Sequence, residues 1–380
     1  MNSYKHDFYD FKDVIWLNAA SEGPLPKVAE EALKEAIYWK SAVYQLDIPK
    51  FIKVPLELKK NIAELINVES RDVILGSSAS YGLHILANGI QWQAGDEVLV
   101  MQNDFPSNII PWLGLQQKGV IVKQIKPKER ILFPEEIQRE ITPQTRLICL
   151  SHVHSFSGHQ LDVEGVSKLC QKNNIRFVLN IVQSLGNMPL NVTAMNVDAV
   201  VAVGYKWLCG PYGTGFCWIK DEFRRQLDSN QAYWSSYLSE EELKSEGPIS
   251  FKAQDSARKY DTFGTANFFN FVPLTAAIRY WLDIGLNQVQ EHNQFLINYL
   301  IEYLDQSKYG IISPITPEKR TNLFVFSHRD STQNEAVVKA LAINKIHPAL
   351  WKGNIRLSPH IYNTGQEIKK VVTILNQFSQ

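Results

Sequence analysis

Lys206 is the side chain in this sequence that is best placed for covalent chemistry. It follows 197–203, an apolar run rich in β-branched residues that is typical of a buried strand, and a turn rich in glycine and proline comes next. Partial burial at the mouth of such a strand lowers the pKa of a lysine, so that its amine can condense with a carbonyl. A lone lysine at a strand end is more often an ordinary surface residue, so the neighbouring segments must decide between these interpretations.

Two further segments bring polar groups toward such a lysine. The strand expected at 176–186 carries Asn180 and Gln183 to the same edge of the presumed sheet. A small-residue turn at 76–82 opens a helix, whose free backbone amides, serine hydroxyls and positive dipole end suit a phosphate. Such a turn is more often explained by a serine that caps the N-terminus of the helix, without any bound ligand. Together these segments favour a pocket that offers a lysine amine, two amide side chains and a phosphate cradle.

The pattern from residue 72 to residue 220 alternates strands with helices. This predicts a mainly parallel sheet with helices on both faces and the ligand at the carboxyl ends of the strands. Strands are expected at 72–75, 97–101, 120–125, 146–153, 176–186, 197–203 and 214–220. Helices are expected at 27–39, 55–68, 76–87, 108–118, 135–140, 163–173, 271–286 and 289–304. The stretch 321–378 mixes strands and helices in a smaller α+β lobe.

Composition argues against several classes of protein. The 380 residues are 45% hydrophobic and 21% charged, and 39 Lys and Arg balance 39 Asp and Glu, so no charge excess favours nucleic acid or an anionic membrane as a partner. No apolar run approaches the ~20 residues of a membrane helix, and 1–10 do not have the pattern of a signal peptide. The glycine-loop fingerprints of nicotinamide enzymes and P-loop NTPases are absent. Four cysteines without metal-ligand spacing predict buried free thiols and a cytoplasmic protein.

A series of motifs along the chain resembles the class V aminotransferase family, a group of fold-type I enzymes that use pyridoxal 5′-phosphate (PLP). The matching segments are 104–112, 183–186, 206–208, 213–215, 263–267 and 356–364. The nearest branch is similar to isopenicillin N epimerase-like, cysteine desulfurase and selenocysteine lyase-like proteins. The resemblance implies an α/β fold, with a large PLP-binding domain at 21–265 built on a mainly parallel seven-stranded sheet between helices. A smaller domain would combine 1–20 with the α+β lobe at 266–380.

The resemblance also implies how PLP is held. Lys206 would form an aldimine with the cofactor and then move protons at the substrate Cα. The other cofactor contacts would be Ala79, Ser80 and Tyr205 at the phosphate, Phe105 stacked on the pyridine ring, Asn180 at the pyridine nitrogen, Gln183 at the phenolic oxygen, and Ser155.

The implied partners are an amino acid or amine substrate and a second copy of the chain. Arg356 would bind the substrate α-carboxylate with its bidentate fork. Gly264 and Thr265 would reach the phosphate of the partner subunit, in a homodimer with shared active sites. The pocket has further candidates in Trp112, His154 and the loop at 19–24. For each of them the alternative is plain packing in the core or at the rim.

Three departures from the family bear on the reaction. The family has Asp where this chain has Asn180, and a neutral amide cannot keep the pyridine nitrogen protonated for electron withdrawal. Tyr205 replaces a common His, which is a mild change. The segment 346–354, where desulfurases carry their reactive cysteine, contains none. Asn180 is compatible with retuned chemistry, with lost catalysis and with an introduced substitution.

The resemblance therefore implies a PLP enzyme that acts on an amino acid or amine by transamination, epimerisation or β-elimination such as C–S lysis. The cysteine-dependent desulfurase mechanism is disfavoured. The alternative is a PLP-binding protein with attenuated or absent catalysis, because Asn180 replaces the pyridine-pairing Asp. The motif series argues against a third interpretation, an α/β protein without a cofactor.

Overall fold

The computed structural model describes residues 4–228, 232–250, 256–264 and 267–379. Its strands are β1 (Ile15–Trp16), β2 (Val73–Gly76), β3 (Glu97–Met101), β4 (Ile121–Ile125), β5 (Thr145–Ser151), β6 (Arg176–Asn180), β7 (Ala199–Val203), β8 (Gly215–Ile219), β9 (Tyr309–Ile311), β10 (Phe324–His328), β11 (Ile346–His347), β12 (Ala349–Trp351) and β13 (Asn354–Leu357). Its α-helices are α1 (Lys27–Ser41), α2 (Ile48–Ile66), α3 (Ala79–Gly89), α4 (Ile110–Leu113), α5 (Pro134–Glu140), α6 (Val163–Lys172), α7 (Val192–Met195), α8 (Asp221–Arg224), α9 (Trp234–Tyr237), α10 (Glu240–Lys244), α11 (Phe268–Ile284), α12 (Leu286–Tyr303), α13 (Asn334–Ile343) and α14 (Gly365–Gln377).

Strands β2 to β8 form the central sheet of the described residues, in the spatial order β2-β8-β7-β6-β5-β3-β4. The pairs β3–β4, β3–β5, β5–β6 and β6–β7 are parallel, whereas β8 runs antiparallel to β2 and β7. Val200 packs into the core on one face of the sheet and Val201 into the core on the other. Burial on both faces explains the continuous apolar run at 197–203. The predicted seven-stranded, mainly parallel sheet is confirmed.

The parallel strands of this sheet end at a common edge. Strands β3, β5, β6 and β7 share one direction, and two antiparallel steps through β8 give β2 that direction as well. Asn180 is the last residue of β6, and the segments that follow the other four strands carry Ser78, Phe105, Ser155 and Lys206. Since the carboxyl ends of parallel strands lie side by side, the topology gathers five separate segments at one place.

A second, antiparallel sheet lies in the C-terminal part, in the order β12-β13-β10-β9. One apolar cluster joins it to α12, α13 and α14, with Leu296, Leu341 and Leu375 from the helices and Phe324 from the sheet. The N-terminal strand β1 pairs in parallel with β11. The first residues of the chain thus lie against its C-terminal part, whereas the domain boundaries near 20 and 265 stay predictions.

Two helices differ from the sequence prediction. Helix α2 begins at Ile48, so that Pro55, expected as its first residue, lies inside the helix. The helix expected at 108–118 is broken into α4 and flanking 3-10 turns. Pro111 has no amide hydrogen to donate to the backbone oxygen of Ser107, which interrupts α-helical hydrogen bonding at the start of the expected helix.

None of the helices in the described ranges combines the length and the hydropathy that crossing a bilayer requires. The same residues bring together no group of three or more His, Cys, Asp or Glu side chains that could hold a metal ion.

Candidate active site

A cavity at the carboxyl edge of the central sheet surrounds Lys206. It is lined by Ser78, Ala79, Ser80, Phe105, Ser107, Ser155, Asn180, Val182, Val203, Tyr205 and Lys206. The structure therefore brings the predicted lysine, the predicted phosphate cradle and the strand end at Asn180 together. A larger cavity lies at the amino ends of β5 and β6, but its guanidinium groups, on Arg146 and Arg176, are already paired with carboxylates.

The amine of Lys206 is buried without a partner in the described part of the chain. The residue is 8% exposed, and its Nζ makes no hydrogen bond or ion pair with the described residues. Burial, followed by the positive charge of Arg356, lowers the pKa of Lys206 to about 7. The centroid of the Phe105 ring lies 5.2 Å from Nζ. A cation without a counter-ion is costly to bury, so this site favours the neutral, nucleophilic amine.

The lowered pKa of Lys206 predicts how its reactivity depends on pH. Only the neutral amine reacts with an electrophile, so the labelling rate of Lys206 in cofactor-free protein should rise about tenfold from pH 6 to pH 8 and then level off. Competitive labelling with a small amine reagent, read by peptide mass spectrometry, measures this rate. An ordinary lysine amine, with a pKa of ~10.4, serves as the internal standard, since its rate keeps rising above pH 8. A Lys206 rate that tracks the standard at every pH would contradict the lowered pKa.

The N-terminal loop packs directly on the lysine segment at Gly23. The Gly23 amide donates to the backbone oxygen of Tyr205 at 2.9 Å. A Cβ on Gly23 would lie 2.0 Å from the backbone oxygen of Lys206, so no larger residue fits there. The loop at 19–24, a candidate for the pocket on sequence grounds, is therefore part of the wall behind Lys206.

The start of α3 presents backbone donors to the cavity. Ser78 caps this helix by accepting a hydrogen bond from the Tyr81 amide at 3.2 Å. The amides of Ala79 and Ser80 lie in the first turn, where a helix has no acceptor of its own to offer them. Tyr205 lines the same cavity. A helix start of this kind attracts an anion, so the predicted phosphate contacts are compatible with the geometry.

Gly264 lies apart from this group. It lines a neighbouring cavity with Gly76, Ser77 and Asn267 rather than the cavity of Lys206. Thr265 lies outside the described residues. The predicted contact of both residues with the phosphate of a partner subunit stays a prediction.

Asn180 is held by a buried polar network that ends on a carboxylate. Its Nδ2 donates to Asn108 Oδ1 at 2.7 Å, and its Oδ1 accepts from the Val182 amide at 2.9 Å. Asn108 Nδ2 in turn donates to Asp104 Oδ2 at 2.9 Å and to Ser151 Oγ at 2.8 Å. Because a backbone amide can only donate and a carboxylate accepts, these partners fix the orientation of both amide side chains. The surroundings of Asn180 thus suit an amide rather than a carboxylate.

The Gln183 side chain lies outside the lining of the cavity. It is buried, its Nε2 donates to Ala20 O at 3.0 Å, and its Oε1 accepts from Trp207 Nε1 at 2.9 Å. One hydrogen of Nε2 remains for another acceptor. The role predicted for Gln183 at the phenolic oxygen therefore depends on that single hydrogen and stays a prediction.

Arg356 is a buried cation without a carboxylate partner among the described residues. Its Nη1 donates to Ser155 O at 2.9 Å, and its Nη2 donates to Ser21 Oγ at 2.7 Å and Asn18 Oδ1 at 3.3 Å. Its Nε is buried and has no hydrogen-bond partner in the described part of the chain. Burial lowers the pKa of Arg356 to about 10, so the guanidinium remains charged at neutral pH. Such a group is suited to bind an anion from solution.

Three residues that hold the site were not singled out from the sequence: Asn18, Asp104 and Asn108. Asp104 and Asn108 lie inside a motif that carries the family resemblance, which is a signal that could have identified them. The other pocket candidates pack elsewhere. Trp112 is fully buried in the core, and His154 bonds to Ser157 Oγ and Asn103 O.

Comparison with known families identifies the family of this chain. The family model described as aminotransferase class-V matches residues 17–371. The chain belongs to the class V aminotransferase family. Enzymes of this family depend on PLP. The predicted family is confirmed.

Individual class V relatives align with nearly the whole chain. A probable cysteine desulfurase from Methanothermobacter thermautotrophicus is 26% identical, with 99% of this chain and 97% of that protein covered. The apo structure of a cysteine desulfurase from Thermococcus onnurineus superposes with a TM-score of 0.88 at 20% identity, covering 99% of this chain and 98% of the other. A variant of C-DES with glycine covalently linked to its PLP cofactor superposes with a TM-score of 0.87 at 20% identity, covering both chains fully. These likenesses confirm the predicted fold.

The residues around Lys206 fit the cofactor of class V aminotransferases. An aldehyde needs an unpaired amine, a phosphate needs N–H donors, and an aromatic ring needs a flat apolar surface. The cavity offers the amine of Lys206, the start of α3 and the ring of Phe105.

Proposed function

We propose that this class V protein is an enzyme that binds PLP through Lys206 and acts on an amino acid or amine held by Arg356. The observation that carries this proposal is the buried, unpaired amine of Lys206, with a pKa of about 7. When bound, PLP supplies an electron sink for negative charge that develops at the substrate. Ala79 and Ser80 would hold its phosphate, and Phe105 would cover one face of its ring.

Lys206 and Arg356 would divide the work on the substrate. An amine with a pKa of about 7 both accepts and releases a proton near neutral pH, as a general base and acid must. Arg356 keeps its charge, and its hydrogen bonds within the described residues go to neutral oxygens rather than to a carboxylate. Arg356 would therefore fix the carboxylate, and Lys206 would move protons at the reacting carbon.

We propose transamination, epimerisation or β-elimination such as C–S lysis, rather than sulfur transfer to a cysteine of this chain. All four cysteines are buried and free, and none lines the cavity of Lys206. Burial raises the pKa of each thiol above its usual value, and a protonated thiol is a poor nucleophile. The cystine C–S lyase C-DES superposes with a TM-score of 0.86 at 20% identity, which supports the inclusion of β-elimination.

Adding PLP to the purified protein tests the proposal. We expect a visible absorption band as Lys206 takes up the cofactor, and a change of that band with the correct amino acid. Amino acids and cystine are screened with chromatographic detection of a 2-oxo acid, an inverted enantiomer or ammonia. A protein that stays colourless in excess PLP would refute the assignment.

The second candidate function is a PLP-binding protein with attenuated or absent catalysis, and Asn180 favours it. The buried network around Asn180 places an uncharged amide in the cavity lining. The spectra and the product screen together distinguish the two candidates. A protein that only binds PLP would gain the visible band but would release no product with any amino acid.

We also propose a homodimer with shared active sites. Two exposed apolar residues of α2, Ile52 and Leu56, line a cavity that Gly264 also lines. Ile48 is exposed on the same helix, and Phe263 is 56% exposed. Clustered apolar surface of this kind marks interaction sites. Light scattering after gel filtration gives the mass in solution, and a monomer would contradict the dimer. A cytoplasmic location stays a prediction from the sequence.

A further inference from the structure

The hairpin of β12 and β13 directs Trp351 to the same side as Arg356. In this antiparallel pair Ala349 lies opposite Arg356, and Trp351 lies opposite Asn354. Side chains alternate between the two faces of a strand, so these four residues share one face. The turn between the strands has two residues with positive φ, Lys352 at 50° and Gly353 at 76°. Such a tight turn holds the hairpin, and Trp351 with it, in a fixed position.

Three aromatic rings connect Lys206 to Arg356 along one wall, formed by Phe105, Phe156 and Trp351. The ring centroids of Phe105 and Phe156 are 6.2 Å apart, and those of Phe156 and Trp351 are 5.9 Å apart. The Lys206 amine lies 5.2 Å from the Phe105 ring, and the Arg356 guanidinium carbon lies 6.0 Å from the Trp351 ring. The wall therefore spans the space between the amine and the carboxylate-binding group.

Trp351 is the exposed end of this wall. It is 41% exposed, whereas Phe156 behind it is buried at 9%. The Trp351 ring is open to solvent beside a buried guanidinium that has no carboxylate partner among the described residues, so the ring offers apolar surface to the anion that this guanidinium binds. Substrate side chains as small as those of alanine or cysteine are too short to cover the Trp351 ring.

We propose that the substrate is an α-amino acid with an aromatic or other large apolar side chain, which packs on Phe156 and Trp351 while Arg356 binds its carboxylate. This rests on the function proposed above, because it takes Lys206 and Arg356 as the ends of the substrate site. Trp351 is then a residue that determines specificity.

The test compares two amino acids that have no hydrogen on Cα and so resist proton removal there. α-Methylphenylalanine and 2-aminoisobutyrate differ only in the phenyl ring, and calorimetry on the PLP-loaded protein measures the affinity of each. We expect α-methylphenylalanine to bind at least about tenfold more tightly, in the range that apolar pockets achieve. Trp351→Ala should remove most of this preference, because the affinity for α-methylphenylalanine should fall much more than the affinity for 2-aminoisobutyrate.

Leu350→Ala provides the matched control. Leu350 is on the same strand, is 37% exposed and points to the opposite face of the hairpin, so its replacement should keep the preference. Phe156→Leu replaces the middle ring of the wall with a smaller side chain and leaves the hairpin unchanged. It should also reduce the preference, so the inference can be tested even if Trp351→Ala folds poorly. Equal binding of both compounds to coloured, PLP-loaded protein overturns this inference and leaves the proposed function standing. A protein that retains no PLP overturns both.

Discussion

Replacement of Lys206 by alanine is expected to abolish covalent retention of PLP and to lower turnover by at least about 10²–10⁴-fold, the usual contribution of a proton-transfer group. Lys206 is the lysine that lines the cavity, and its amine is neutral in about half of the molecules at pH 7. The measurement is borohydride reduction followed by peptide mass spectrometry. The wild-type peptide that contains Lys206 should carry the mass of the reduced cofactor, and the variant should carry none.

Lys352→Ala is the control for this prediction. Lys352 is exposed at the rim of the site, with its Nζ 5.5 Å from the Phe156 ring, and it does not line the cavity of Lys206. Its loss should leave the labelled peptide unchanged. Because the Lys206 amine lies in a buried position without a hydrogen-bond partner among the described residues, its truncation should not lower the thermal unfolding temperature. Retention of reducible PLP on another lysine in Lys206→Ala would overturn the assignment of the cofactor to Lys206.

The sequence predicted correctly those elements whose residue pattern is compatible with a single local structure. The apolar run at 197–203 could only be buried on both faces, and it became the strand β7 that leads to Lys206. Similarly, the small-residue turn at 76–82 could open a helix toward an anion, and Ser78 does cap α3. Short strands were not predicted. The two or three residues of β9, β11 and β12 carry too little periodicity, and their partners in the sheet stabilise them instead.

The partners of individual side chains could not be read from the sequence. Arg356 bonds to Asn18 and Ser21, which lie at the other end of the chain, and no local pattern connects them. The burial of Gln183 between Ala20 and Trp207 likewise depends on how the N-terminal loop folds over the sheet. Long-range contacts of this kind follow from topology, so a resemblance can suggest the residues of a site but not what else they bind.

The network around Asn180 makes the effect of aspartate at this position testable in two ways. A carboxylate at 180 would hold a proton on the ring nitrogen of the cofactor. An ion pair at ~4 Å contributes about 4 kcal/mol at an effective dielectric of ~20, which corresponds to three powers of ten in rate at most. We therefore expect Asn180→Asp to raise turnover by about 10- to 1000-fold, measured as kcat/KM with the substrate that the screen identifies.

The same replacement should lower the stability of the protein. Asn108 Oδ1 accepts from Asn180 Nδ2 at 2.7 Å, so a carboxylate oxygen at 180 would face another acceptor. If the Asn108 amide rotated to donate to the new carboxylate, its own oxygen would face the Asp104 carboxylate, which also only accepts. A buried hydrogen bond lost in this way costs about 1–3 kcal/mol, which thermal or urea unfolding measures. Asn180→Ala, which removes the amide without adding charge, is the control and should not gain turnover. If Asn180→Asp binds PLP and its turnover equals that of the wild type, electron withdrawal at position 180 does not limit the reaction, and the attenuation assigned to Asn180 is wrong.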